Sequence, residues 1–308
     1  MTQTLGTGLI VHTYSARRAA CTVACGFVVG ALMAVLWSFT LVDDTIGDNV
    51  ASTLLGHDAG TTAISGAWAG VVFAIVSGFA GTFTACNIAV FGSLPALLEA
   101  GPDRRTRIAS LLAPVRWLLT GAALVSAPYG AIGVALGHRI PQLSTATVGD
   151  GFPVRLLQAS VVFGVLGLCF VYLGLGAARL VPDPIARLER RFPHARLVVL
   201  GALIGGFLIG RPFPLFHKMF EHAVDTHDVA YGAVVLLLQS IGNIVVVSLL
   251  FLLLAALSGG RVQRWMARRA GSLTSAAFVM VGTFSILYWV VRVPAAFGYG
   301  WFPTMPWS

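Results

Sequence analysis

The sequence predicts an all-α protein that crosses a membrane about seven times. Three observations predict this class: 57% of the 308 residues are hydrophobic, only 10% are charged, and the mean hydropathy is +0.85. An ordinary soluble domain carries roughly 25% charged residues, and a chain of this length has no means of hiding so much apolar surface from water. We therefore expect the protein to be embedded in a lipid bilayer, which is the first partner that the sequence predicts.

Seven stretches of the chain approach the length that a crossing requires, which is about 20 apolar residues for roughly 30 Å of hydrocarbon. They are 20–42, 64–98, 109–137, 156–181, 197–216, 229–257 and 273–293. The first follows Arg17 and Arg18, as a signal sequence would. Its length of about 23 residues exceeds the roughly 7–15 residues of a signal peptide's apolar segment. We therefore expect it to remain as a first helix.

The basic residues are unevenly shared between the loops that join these stretches. Fourteen of the twenty Lys and Arg fall on one side: Arg17, Arg18, Arg104, Arg105, Arg107, Arg179, Arg187, Arg190, Arg191, Arg196, Arg261, Arg264, Arg268 and Arg269. The other side, to which Arg292 is assigned, holds most of the acidic residues. Because arginine-rich loops remain in the cytoplasm, the pattern predicts a multi-pass cell-membrane protein with a cytoplasmic N-terminus and an outer C-terminus.

Two stretches contain glycine-rich segments that are not typical of a plain helix. One is the segment 77–87 of the second stretch, and the other is the segment 205–215 of the fifth, which includes Pro212 and Pro214. They lie three helices apart and run in opposite directions, as the leading helices of an inverted repeat would. The segments 159–163 and 274–278 are also similar. We therefore expect one helix and an outer loop in residues 1–63, followed by a 3+3 inverted repeat in residues 64–308.

The two glycine-rich segments resemble the membrane thiol–disulfide carriers typified by CcdA and the transmembrane domain of DsbD, within the LysE-like superfamily. The resemblance covers roughly residues 64–293 and rests on Gly-Phe-Ala-Gly-Thr-Phe-Thr-Ala-Cys-Asn at 78–87 and Gly-Phe-Leu-Ile-Gly-Arg-Pro-Phe-Pro at 206–214. It implies that Cys86 is a reactive thiol that transfers reducing equivalents across the membrane, with a thioredoxin-like protein or an exported redox protein as partner, as in cytochrome c biogenesis. The second half lacks the matching cysteine, and thiol–disulfide exchange needs a second thiol.

A second hypothesis is a LysE-like transporter of a small solute or a transition metal ion. Arg211 lies inside the fifth stretch, where a charge is costly unless it faces the bundle interior or a wet cavity. Gln239 and Asn243 are four residues apart and share one helix face. With Asn87, which follows Cys86, these side chains predict a solute-binding site. Hydrogen bonding between helices is the alternative explanation for Gln239 and Asn243.

The segment 217–228 is rich in nitrogen and oxygen donors and predicts a metal site formed by His217, His222 and His227. Their spacing matches no established metal signature, so a polar loop at the membrane surface is the alternative. The sequence identifies no cofactor. It contains no phosphate-binding glycine loop and no basic–aromatic surface, which excludes nucleic-acid binding. A subunit or assembly factor of a larger membrane complex is a third hypothesis.

Overall fold

The computed structural model describes residues 16–81, 104–149, 151–257, 265 and 268–306. Within these residues, five helices are long and apolar enough to cross a membrane, which confirms the all-α membrane class. They are Ala16–Leu36, Pro114–Arg139, Val154–Ala177, Val229–Val246 and Ala270–Ala296. The second and fifth apolar stretches instead contain shorter apolar helices, Ala67–Ala80 and Ala195–Gly206.

The described residues are mostly helical. In chain order they are α1 (Ala16–Leu36), a π-helical segment (Thr40–Gly47), α2 (Asp48–Leu55), α3 (Ala67–Ala80), α4 (Arg104–Leu136), α5 (Val154–Ala177), α6 (Ala186–Arg191), α7 (Ala195–Gly206), α8 (Pro214–Asp225), α9 (Val229–Leu257), α10 (Ala270–Ile286), a second π-helical segment (Leu287–Arg292) and α11 (Val293–Ala296). Between α4 and α5 lie two 3-10 turns (Gly137–Arg139 and Pro141–Leu143) and a small antiparallel pair, β1 (Thr147–Val148) and β2 (Phe152–Pro153).

The helices α3 and α7 are too short to cross a bilayer alone. At 1.5 Å per residue they extend over about 21 Å and 18 Å, against roughly 30 Å of hydrocarbon. The helix α7 ends at Gly206, residues 207–213 are turns and irregular backbone, and α8 starts at Pro214. The first position of a helix suits proline, because its missing N–H has no intrahelical partner there. The break predicted for the fifth stretch is therefore confirmed, whereas the second stretch beyond Gly81 lies outside the described residues.

Glycines set the close packing between the long helices. The helix α5 crosses α10 at Gly167 and Gly282, and a Cβ added to Gly282 would lie 2.5 Å from the Gly167 carbonyl oxygen. At the contact between α1 and α10, a Cβ on Gly30 would lie 2.5 Å from the Met280 carbonyl oxygen. Equivalent glycine contacts join α3 to α9, α4 to α9 and α4 to α7. Membrane helices associate through such close backbone approach, because lipid tails are as apolar as their side chains.

The buried apolar side chains form separate clusters that hold the two parts of the broken stretch. One lies between α4, α5, α7 and α10 and contains Phe170 and Phe207. Another surrounds α8, whose Phe216 and Phe220 are fully buried among α3, α4 and α9. The helix α8 is therefore packed along its apolar face on three neighbouring helices, while Glu221 and Asp225 on its other face are exposed.

Two cations anchor the loops outside the apolar core. Lys218 on α8 donates three hydrogen bonds to the loop before α3, to the carbonyl oxygens of Ala59 (2.7 Å), Gly60 (2.9 Å) and Thr62 (2.6 Å). Arg196 at the start of α7 pairs with Asp183 and Glu189 in the arginine-rich connection between α5 and α7. Partial burial raises the pKa of Asp183, but the hydrogen bonds from Arg196 and from backbone N–H groups, with the charge of Arg196, lower it to below its usual range.

We expect Gly282→Ala to destabilise the protein by about 1–3 kcal/mol, the usual cost of overpacking. The added methyl group would meet the Gly167 carbonyl oxygen, which belongs to the backbone and cannot rotate away. The matched control is Gly271→Ala on the same helix, whose new Cβ would make only an ordinary contact at 3.8 Å. Thermal unfolding in detergent should separate the two variants, and equal unfolding temperatures would contradict the packing described here.

Candidate functional site

In the break between α7 and α8 the backbone carbonyl groups lack the hydrogen bonds of a regular helix. Side chains from other elements donate hydrogen bonds to them. Gln142 Nε2 donates to the Arg211 carbonyl oxygen at 2.6 Å. Gln158 Nε2 donates to the Ile209 carbonyl oxygen at 2.5 Å, and the Tyr129 hydroxyl donates to the same oxygen at 3.2 Å. In hydrocarbon an unbonded carbonyl group costs several kcal/mol. These donors therefore make the break compatible with a membrane interior.

The three donors come from different parts of the fold. Tyr129 lies on α4, Gln158 on the first turns of α5, and Gln142 on the 3-10 turn that returns the chain between these two helices. Gln142 is 1% exposed, although it belongs to a connection that would ordinarily lie at the surface. The sequence analysis missed all three, because a lone glutamine or tyrosine in apolar sequence carries no signal that a distant carbonyl group needs a donor.

Arg211 lies in the break itself, with only 6% of its surface exposed. The centre of its guanidinium group lies 5.1 Å from the centroid of the Phe213 ring. On another side the guanidinium covers Gly81, since Arg211 Cζ lies 2.7 Å from the position that a Cβ on Gly81 would take. The charge predicted in the fifth stretch therefore contacts the end of the helical segment that leads the second stretch.

A cavity of about 660 Å³, counting the space at its mouth, opens beside this guanidinium. Its lining comes from the end of α1, from α5, α7 and α9, and from the break itself, together with the end of α10 and the π-helical segment that follows it. The lining residues are Trp37, Phe39, Phe163, Ile204, Phe207, Leu208, Arg211, Pro212, Phe213, Asn243, Phe284, Ser285, Tyr288 and Trp289.

The structure separates Gln239 from Asn243, which the sequence places on one helix face. Asn243 lines the cavity with Arg211. Gln239 is fully buried at the contact between α9 and α3, where its Nε2 donates to the Ser77 hydroxyl at 3.2 Å. The geometry therefore joins Asn243 to Arg211, and it assigns Gln239 to the hydrogen bonding between helices that was the alternative explanation.

The cysteines offer no thiol pair within the described residues. Cys21 and Cys25 are exposed on α1, and Cys169 is half-buried on α5, all three as free thiols. The predicted reactive Cys86 and its neighbour Asn87 lie outside the described residues. The thiol–disulfide hypothesis therefore stays a prediction.

The three histidines of the predicted metal site lie on and just after α8, and they point to different surroundings. His222 contacts Gly70 of α3 and the ring of Tyr231, whereas His227 follows α8 in the left-handed backbone region. His217 lies on the first turn of α8 and is half-buried. Nowhere in the described residues do three His, Cys, Asp or Glu side chains form a group able to hold a metal ion.

Arg292, which the charge pattern assigned to the outer side, is 7% exposed and lies inside the bundle. Its guanidinium Nη1 donates to the carbonyl oxygens of Ala34 (2.6 Å) and Trp37 (2.8 Å), so it binds the C-terminal end of α1. The sequence pattern did not reveal this burial, because the burial depends on carbonyl groups at the end of a distant helix. This contact positions Trp37 at the cavity.

The described residues thus form a polytopic helical membrane protein with a buried arginine in an aromatic-lined cavity. Compared with models of protein families, with curated proteins and with solved structures, the chain matches none of them.

We expect Gln142→Met to cost more stability than Tyr129→Phe. The first change keeps the side-chain volume but leaves the Arg211 carbonyl oxygen without its Gln142 donor, at a cost of about 1–3 kcal/mol. The second leaves the Ile209 carbonyl oxygen bonded to Gln158, so a loss of about 0.5–1.5 kcal/mol is expected. Thermal unfolding in detergent measures both, with Thr145→Ala in the exposed part of the same connection as control. The reverse order would show that these donors do not support the break.

Proposed function

We propose that this chain is a transporter of a small solute, with its binding site at the break between α7 and α8. The observation that carries this proposal is the buried Arg211, which lines a cavity with Asn243 at a point of irregular backbone. Carriers commonly bind their solutes where discontinuous helices leave backbone and charged groups facing an internal cavity near the middle of the membrane. An ionisable side chain inside a membrane is by default a functional group.

We also propose the 3+3 inverted repeat, in which α3, α4 and α5 correspond to the broken α7–α8, α9 and α10. Its support is a set of reciprocal contacts between α5 and α10. Gly167 meets Gly282, while Ser160 donates to the Trp289 carbonyl oxygen at 2.7 Å and Gly174 packs on the Ser275 carbonyl oxygen. The pairs 160 and 275, 167 and 282, and 174 and 289 are each 115 residues apart. A two-fold axis midway between Gly167 and Gly282 would exchange these two glycines and would also exchange the Ser160–Trp289 contact with the Gly174–Ser275 contact.

The remaining helix contacts fit the same relation. The helix α3 packs on α9 through Gly78 and Gly242, and the corresponding α7 packs on α4 through Gly201 and Gly121. Each leading helix thus rests on the second helix of the other half. In such an arrangement the halves can tilt against each other around a fixed site, which is the usual basis of alternating access.

The proposed orientation keeps the arginine-rich connections in the cytoplasm, with the C-terminus outside. Its support is the charge distribution and the pairing of two of the few acidic residues in these connections, Asp183 and Glu189, with Arg196. The arginines around them retain their excess of positive charge, which is the feature that fixes orientation. The bilayer is the proposed surrounding of the exposed apolar faces of α1, α5 and α9.

The thiol–disulfide hypothesis stays a prediction that rests on Cys86 and on the resemblance of the glycine-rich segments. A relay would need a resolving thiol near Cys86 and a partner such as a thioredoxin-like or exported redox protein. The carrier and the relay therefore depend on different residues, and one set of variants can distinguish them.

Uptake into liposomes that contain the purified protein tests the carrier. A panel of radiolabelled carboxylates, amino acids, amines and Ni²⁺ should include at least one solute whose uptake requires the protein. We expect Arg211→Gln to reduce that uptake about tenfold or more, since a charge-assisted contact contributes roughly 1.5–3 kcal/mol. Arg116→Gln, which removes an exposed arginine from α4, is the matched control and should transport normally.

Cys86→Ser in the same assay separates the two hypotheses, because the carrier does not use this thiol and should retain its uptake. Normal uptake by Arg211→Gln, or no protein-dependent uptake of any solute, would refute the carrier. Loss of a mixed disulfide with a partner in Cys86→Ser, without any uptake by the parent protein, would favour the relay.

A further inference from the structure

The lining of the cavity contains enough chemical information to define a class of solute. Among the described residues that line it, Arg211 is the one charged side chain, and Asn243 and Ser285 add an amide and a hydroxyl group. Almost all of the other lining groups are aromatic rings or aliphatic side chains. Two of the rings, Phe207 and Phe213, lie at the break with the charge, whereas the others belong to the residues just after α1, to α5, to the end of α10 and to the second π-helical segment.

The positive charge of the buried Arg211 determines which charge the solute can carry. In a medium of low dielectric constant the interaction between charges a few ångströms apart is several times stronger than in water. A metal ion or an organic amine entering this cavity would meet the positive charge of Arg211 at close range. An anion would instead gain charge-assisted hydrogen bonds from the planar guanidinium group, which suits carboxylate and phosphate oxygens.

The walls of the cavity are built from aromatic rings that pack on each other. Trp37 contacts Phe284 with ring centroids 5.1 Å apart, Phe284 stacks on Tyr288 at 5.3 Å, and Tyr288 meets Trp289 at 5.1 Å. Trp289 in turn stacks on Phe163 at 4.6 Å. Rings held in this way offer faces and edges in fixed positions, and such surfaces bind another flat apolar group by stacking or edge contact.

We infer that the solute is a small organic anion with a flat apolar body, whose anionic group contacts Arg211 and whose body packs on the rings around Trp289. This inference rests on the proposed function, because it names the class of solute that the proposed transporter carries. It also gives the end of α1 a role, because Trp37 and Phe39 just beyond it complete the wall and Arg292 binds the Trp37 carbonyl oxygen.

Equilibrium binding to the purified full-length protein tests this inference independently of transport. The probe is radiolabelled naphthalene-2-carboxylate, and the unlabelled competitors are the neutral naphthalene-2-carboxamide, the cationic naphthalen-2-ylmethylamine and acetate. We expect saturable binding that excess unlabelled probe displaces and that each of these competitors displaces at least about tenfold less effectively. Equal displacement by the amide or better displacement by the amine would overturn the choice of an anion. Equal displacement by acetate would overturn the flat apolar body.

Variants assign the binding to this cavity. Arg211→Gln should weaken binding about tenfold or more, Arg211→Lys should retain part of it, and Trp289→Leu should weaken binding while leaving the charge in place. Arg116→Gln should bind as the parent protein does. Should Arg211→Gln fail to fold, the Lys and Leu variants still decide the matter, since normal binding by both would overturn the inference. Binding without uptake would refute the carrier alone, and uptake of other solutes without binding of the probe would refute the inference alone.

An anionic lipid shares the chemistry of the proposed solute, and the membrane composition distinguishes the two sources. The probe should bind equally to protein in nanodiscs of phosphatidylcholine alone and in nanodiscs that also contain phosphatidylglycerol. Loss of binding only in the presence of phosphatidylglycerol would assign the cavity to a lipid headgroup and overturn a soluble solute.

Discussion

The structure depends on the requirement that backbone carbonyl groups remain hydrogen-bonded inside a membrane. A break such as residues 207–213 is tolerated only where protein surrounds it and supplies donors. Gln142, Gln158 and Tyr129 supply them here, from three different elements. The break is therefore a product of the whole bundle, and the close glycine contacts between helices bring these elements within reach.

The same break gives Arg211 its position. The regular helix ends at Gly206 and resumes at Pro214, so the chain leaves the helical path and the guanidinium group lies between the end of α3 and the cavity. A continuous helix would have carried this arginine on an ordinary face, where it would have had to reach the membrane surface or a partner on a neighbouring helix. The irregular backbone and the buried charge are thus parts of one arrangement.

The sequence predicted features that depend on overall composition or on a short local segment. It did not predict features that depend on contacts between distant segments. Composition predicted the membrane class, and Gly205, Gly206, Pro212 and Pro214 predicted the end of α7. The short helix α7 results from this local chemistry, so a simple count of apolar stretches does not give the number of regular crossings. The burial of Arg292 and Gln142 depends on α1 and on the break, which no local pattern reveals.

The candidate site was predicted in part for the same reason. A charge in an apolar stretch identifies Arg211, and spacing identifies Asn243 together with Gln239, although only Asn243 lines the cavity. The aromatic walls were not predicted, because Trp37, Phe163 and Trp289 are far apart in the chain and each is ordinary in a membrane helix. The histidine-rich composition of the segment 217–228 predicted a metal site. His217, His222 and His227 lie five residues apart along the chain, and the structure gives them different surroundings.

The central claim is that solutes reach the cavity beside Arg211, and thiol labelling tests it most directly. In a protein whose four native cysteines are replaced by serine, Ser285→Cys adds a thiol to the cavity lining. Ser275→Cys places a control thiol on the same helix at a fully buried position outside that lining. We predict that a negatively charged methanethiosulfonate reagent modifies position 285, that naphthalene-2-carboxylate slows the reaction, and that position 275 stays unmodified. Equal lack of reaction at both positions in the folded protein would contradict the account.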